Sequence, residues 1–226
     1  MESLRSQILD TIVSKSSLKQ IVFDNTFASL NLLKDTLLEL ASEMDDELEG
    51  KLDRRVRLEY RDRGKFEAQL QVANDVLIFQ MRTDVFRFDN DHPIWKSDYV
   101  ASEPKNGYLG VINIYNFLSD SFKFNRNQDE GYLIGRIFIN CDRQFFVEGK
   151  GQEAMRCETF GSESLCRSAL VAILESAIYF ALNFDLLIPS FENDKRVKLD
   201  QFNNKMDNSK FETGKLLDYE YNIDDI

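Results

Sequence analysis

Between Val56 and Lys150, short runs of alternating apolar and polar residues follow one another, separated by tight polar turns. A period of two puts every second side chain on one face, so such runs form half-buried strands, and short turns join them in antiparallel order. Val56, Leu58 and Tyr60 alternate with Arg55, Arg57, Glu59 and Arg61, and Asp62-Arg63-Gly64-Lys65 turns the chain into Phe66, Ala68, Leu70 and Val72. Ala73-Asn74-Asp75 leads to a central run, Val76–Met81, and Thr83-Asp84 to a fourth strand, Val85–Phe88. Beyond an irregular stretch holding Pro93, Pro104 and the only His and Trp, the sheet is expected to resume over Tyr108–Tyr115. Asn116–Asn125 fits a short helix or a hairpin, and Tyr132–Asn140 and Gln144–Lys150 form a hairpin around Cys141-Asp142.

Helices bracket this sheet. Leu4, Ile8, Ile12 and Val13 give a first short helix, and Ser14–Lys19 reads as a joint. Asp24 or Asn25 then caps an amphipathic helix of roughly seven turns, with Phe27, Leu30, Leu33, Leu37, Leu40, Ala41, Met44 and Leu48 on its apolar stripe and Gly50 at its end. Each large side chain on such a stripe contributes about 1.5–3 kcal/mol when buried, so the helix must pack on something. A second major helix starts at Ser162, is apolar on most faces from Ala169 onward, and belongs against the sheet. The expected class is α+β: a central antiparallel meander of about six to eight strands with an N-terminal amphipathic helix and a buried C-terminal helix. Residues 1–52 form the helical part, 53–190 the sheet and long helix of the same core, and 191–226 a polar tail with scattered aromatic and aliphatic anchors, suited to wrapping its own domain or a partner.

Composition narrows the function. The 18 Phe exclude a wholly disordered chain, and the apolar run Ala169–Phe184, interrupted by Glu175 and Asn183, falls short of the ~20 residues a bilayer core needs. No secretory signal is visible, and three unpaired cysteines (Cys141, Cys157, Cys166) fit a soluble protein of the reducing cytoplasm. A formal charge of −11 opposes attraction to nucleic acid or anionic lipid. The charge is segregated: Glu43, Asp45, Asp46, Glu47 and Glu49 close the long helix, and Lys51, Arg54, Arg55, Arg57, Arg61, Arg63 and Lys65 follow at once. Neighbouring acids and bases of this kind usually neutralise one another on a solvated face. The sharper reading is a docking surface made of Asp45, Asp46, Glu47, Arg54, Arg55 and Arg57, extended by Phe211, Leu217, Tyr219 and Tyr221 of the tail.

One local pattern points to chemistry. In Phe145-Phe146-Val147-Glu148-Gly149-Lys150 an apolar strand ends in Glu-x-Lys, which places both side chains on one face. This resembles the second half-motif of the PD-(D/E)xK nuclease superfamily. The resemblance implies a carboxylate, Glu148, on Mg²⁺ and a lysine, Lys150, positioning the attacking water. That chemistry needs another acid on the neighbouring strand. A two-residue turn at Cys141-Asp142 would set Gly135 opposite Glu148, where no acid stands.

Asp89, Asp91 and His92 are weak metal candidates, because Asx-rich sequence before a proline is ordinary turn chemistry. Cys166, near the start of a helix, is expected to pack rather than react. Phe66, Phe79, Phe86, Phe88, Tyr108, Tyr115, Phe138 and Phe146 would fill the core or, in a ligand-sensing alternative, line a cavity between sheet and helix. The leading expectation is a non-catalytic binding or regulatory subunit that contacts another protein chain or a second copy. The alternatives are an Mg²⁺-dependent nuclease, the one reading that brings a cofactor and nucleic acid, and a small-ligand sensor.

Overall fold

The N-terminal apolar periodicity folds as one long helical rod. In the computed structural model, which describes residues 3–51, 53, 56, 58–149 and 160–184, helix α1 (Leu4–Thr11) runs through a π turn (Ile12–Ser16) directly into helix α2 (Ser17–Leu48). Continuous helix thus replaces the expected joint and the expected cap at Asp24 or Asn25. The cause is local. Thr11 Oγ1 donates to the Gln7 carbonyl at 2.7 Å and Ser14 Oγ to the Asp10 carbonyl at 2.6 Å. Hydroxyls that bond back one turn loosen the helical ladder without ending it. Gly50, at a φ of 73°, stops the chain from continuing as helix.

Six strands form one antiparallel sheet in sequence order: β1 (Leu58–Asp62), β2 (Glu67–Val72), β3 (Asp75–Met81), β4 (Gly110–Leu118), β5 (Tyr132–Ile139) and β6 (Phe145–Gly149). The α+β class with its central meander is therefore the observed one. Val85–Phe88 is not a strand: Phe86 makes a single bridge to Leu109, and the chain then leaves the sheet. A 3-10 turn (Pro93–Lys96), helix α3 (Asp98–Ser102) and a second 3-10 turn (Pro104–Gly107) fill the interval before β4. Between β4 and β5 the undecided segment resolves as more strand up to Leu118 and one helical turn, α4 (Ser119–Lys123). Helix α5 covers Arg167–Leu182, starting five residues later than the sequence indicates.

Alternation sends the two faces of the sheet to different partners. Leu70, Leu77, Phe79, Ile112, Ile114, Ile137 and Val147 meet Leu30, Leu33 and Leu37 of α2 and Leu170, Ile173 and Leu174 of α5 in one core. The helix and the sheet thus bury each other. Contact at the start of β4 is tight enough to demand glycine, since a Cβ on Gly110 would overlap the Thr26 side chain. On the opposite face Val111, Phe138 and Phe146 sit under Ile94, Val100 and Phe160. Phe138 and Phe146 stack there at 4.7 Å. The aromatic residues proposed to line one cavity are therefore divided: Phe79 lies in the helical core, Phe88, Phe138 and Phe146 lie in the opposite cluster, and Phe66 packs on Phe23 and Phe27.

Candidate functional site

The first 13 helical residues bury nothing. No residue of α1 or of the π turn is buried, and Leu4, Ile8, Leu9, Ile12 and Val13 are 73, 50, 54, 54 and 71 % exposed. On a helical wheel they fill one side of the rod around Arg5, with Ser6, Gln7, Asp10, Thr11 and Ser14 on the other. Further along the same rod Val22, Leu30, Leu33 and Leu37 are wholly buried. The arm is an amphipathic helix whose apolar side is covered by none of the described residues. Sequence periodicity finds this helix but not its exposure. The available signal is the polar stretch Ser14–Gln20, broken only by Leu18, which interrupts the stripe before the packed half begins.

Where the arm meets the body there is an open groove of about 660 Å³. Lys15, Leu18 and Ile21 form one wall; Arg87, Tyr108 and Cys141 lie across from them. The far rim is braced by Asn140, which is fully buried. Its Oδ1 accepts from the Asp142 and Gln144 amides at 2.9 and 3.0 Å, and its Nδ2 donates to the Tyr99 hydroxyl at 2.9 Å. Tyr99 in turn donates to Asp142 Oδ2 at 2.9 Å, and burial together with that carboxylate pushes the phenol up to about 12. From the other side Asn25 Nδ2 donates to the carbonyls of Asn140 and Cys141 at 3.2 and 2.7 Å, tying the hairpin loop to α2. The rim is rigid and, at neutral pH, its tyrosine stays protonated.

Cys141 and Cys166 sit in opposite environments. Burial, then the neighbouring Asp142, raises the Cys141 thiol above its ordinary value. Cys166 is exposed, contrary to the packing role expected for it, because α5 starts one residue later and leaves it as the uncapped flank. The Ser168 hydroxyl, then the Ala169 amide, lower its pKa.

The residues marked for metal chemistry stand apart. The β5–β6 loop has three residues, Cys141-Asp142-Arg143, with Arg143 at a φ of 60°, so the register is one residue off the expected one. Arg136, not Gly135, lies opposite Glu148, with its guanidinium 3.6 Å from the carboxylate. Burial raises the Glu148 pKa, and Arg136 only partly opposes it. Lys150 lies outside the described residues. Asp89 and Asp91 are exposed in a turn closed by the His92 amide on the Asp89 carbonyl at 3.0 Å. His92 stacks on Phe88 at 3.8 Å, and its Nδ1 accepts from the Ile94 amide at 3.2 Å, so that nitrogen caps a 3-10 turn. Among the described residues no three His, Cys, Asp or Glu side chains are grouped to hold a metal ion.

The charged docking residues are only partly visible. Asp45, Asp46 and Glu47 are exposed on the last turn of α2. Arg54, Arg55 and Arg57, and Phe211, Leu217, Tyr219 and Tyr221, lie outside the described residues. No helix among the described residues is long and apolar enough to cross a membrane. No protein family, curated protein or solved structure matches this chain.

Proposed function

We propose that this chain is a non-catalytic binding or regulatory subunit that works through protein–protein contacts, with the arm Leu4–Val13 as its principal docking element. The observation that carries the reading is the row of five large apolar side chains, each at least half exposed, on a helix continuous with the fold. Apolar surface gathered on one helix side is characteristic of a face that fits a groove or pairs with another helix. Covering the exposed halves of five such side chains is worth on the order of 5 kcal/mol. After the cost of association this suffices for a useful contact but not for a tight complex alone. Additional contacts are therefore required, and the exposed acids Asp45, Asp46 and Glu47 at the far end of the rod offer a second patch.

The test is a paired substitution, Ile8→Asp with Leu9→Asp, in the full chain produced in its natural cells. The unfolding midpoint should stay within error of the parent, while the proteins that co-purify with the parent, or its self-association on sedimentation, are lost. A parent chain that sediments as a monomer and purifies alone sinks the reading, as does a variant that keeps every companion.

A further inference from the structure

We propose that the groove at the base of the arm is the docking site for this chain's own segment 216–226. Its lining sets three cations, Lys15, Arg87 and Lys105, against one carboxylate, Asp142, which already accepts from the Tyr99 hydroxyl, and Leu18, Ile21 and Tyr108 add apolar surface. Among the described residues neither Lys15 nor Arg87 faces a carboxylate at ion-pair distance, whereas Lys105, also on the rim, pairs with Glu103 at 2.7 Å. Lys15 instead stands 6.0 Å from the centre of the Tyr108 ring, and Arg87 stacks on Trp95 at 4.4 Å. In a protein of net charge −11, these two side chains leave positive charge at the groove for an acidic ligand to meet.

Segment 216–226, Leu-Leu-Asp-Tyr-Glu-Tyr-Asn-Ile-Asp-Asp-Ile, is the complementary chemistry. It carries four acids (Asp218, Glu220, Asp224, Asp225) and no base, interleaved with Leu217, Tyr219, Tyr221 and Ile223. Carboxylates would meet Lys15 and Arg87 while tyrosine or aliphatic side chains cover the apolar surface. Reach is ample. The 31 residues from 185 to 215 separate the segment from the end of the described body, a contour length of at most about 100 Å. A segment of the same chain meets the groove as an intramolecular partner, so it can occupy the groove at an intrinsic affinity too weak for a free peptide. The inference does not rest on the arm as a docking element, since the groove needs only the arm's base.

Cys141, on the groove wall, is a built-in reporter. The full chain is exposed to neutral iodoacetamide, and alkylation of Cys141 is followed by peptide mass spectrometry with the exposed Cys166 as reference. Asp224→Lys with Asp225→Lys should speed Cys141 alkylation several-fold and leave Cys166 unchanged. Lys15→Glu should do the same, although an added acid near Cys141 would by itself slow it. Combining the three substitutions should restore much of the protection. Ile8→Asp with Leu9→Asp should leave the Cys141 rate alone, which separates this inference from the reading of the arm. Equal Cys141 rates in parent and tail variant overturn it. So does protection that grows with protein concentration, because the segment would then come from a second copy.

Discussion

The two halves of the N-terminal rod carry the same kind of sequence and meet opposite fates. From Val22 to Ala41 the apolar side of the helix disappears into the sheet and α5, with Leu30, Leu33 and Leu37 wholly buried. From Leu4 to Val13 an apolar side of similar width is covered by none of the described residues. An amphipathic period states that one side of a helix seeks cover; it does not say whose surface provides it. Here the same signal serves the fold in one half and, on our reading, recognition in the other. The π turn at Ile12–Ser16 and the polar stretch after it mark the change.

The largest effect should come from striking the packed half. Leu33→Ala is expected to cost about 2–5 kcal/mol of unfolding free energy by urea titration, whereas Leu9→Ala should stay within about 0.5 kcal/mol. Equal costs would erase the distinction. Next comes the point where α2 touches the start of β4. Gly110→Ala must displace Thr26, and a loss of about 1–3 kcal/mol is expected, with the arm unaffected.

The smallest effect lies on the sheet's other side, at Glu148. Its folded pKa lies above the unfolded one, so between the ordinary carboxylate pKa and that raised value the native state binds more protons than the unfolded state. Its contribution is therefore full below the unfolded pKa and declines as pH rises through the folded one. Glu148→Gln should flatten that part of the stability–pH curve. At pH 7 the net change should be roughly half a kcal/mol or less, because Arg136 already offsets part of the burial and is itself exposed to water. A loss of several kcal/mol would mean that Glu148 holds something the surrounding residues do not reveal.

Much of this architecture was legible in the sequence, and the misses have physical causes. Strands β1 and β2 follow from strict alternation between polar turns, β3 from an apolar run between turns, and β5–β6 from the apolar runs on either side of Cys141-Asp142. The register of that hairpin slipped by one because Arg143 adopts a left-handed φ, a conformation that glycine or asparagine would have advertised and arginine conceals. Val85–Phe88 has strand composition but only one bridging residue, since the aromatic cluster around Ile94 and Phe160 draws the chain off the sheet. Hydroxyl back-bonding at Thr11 and Ser14 gave no sign that the expected joint would stay helical. The groove was the least readable feature, because Lys15, Arg87 and Cys141 come together only through the fold.

Leu9 and Leu38 offer the most direct measurement, because they lie on one rod with nearly equal exposure, 54 and 52 %. A photo-crosslinking residue is placed at position 9 or position 38 of the full chain, which is then irradiated in extract of the cells that make it. The account predicts a discrete adduct with a second polypeptide from position 9 and none from position 38. Adducts from both positions alike, or from neither, would contradict it.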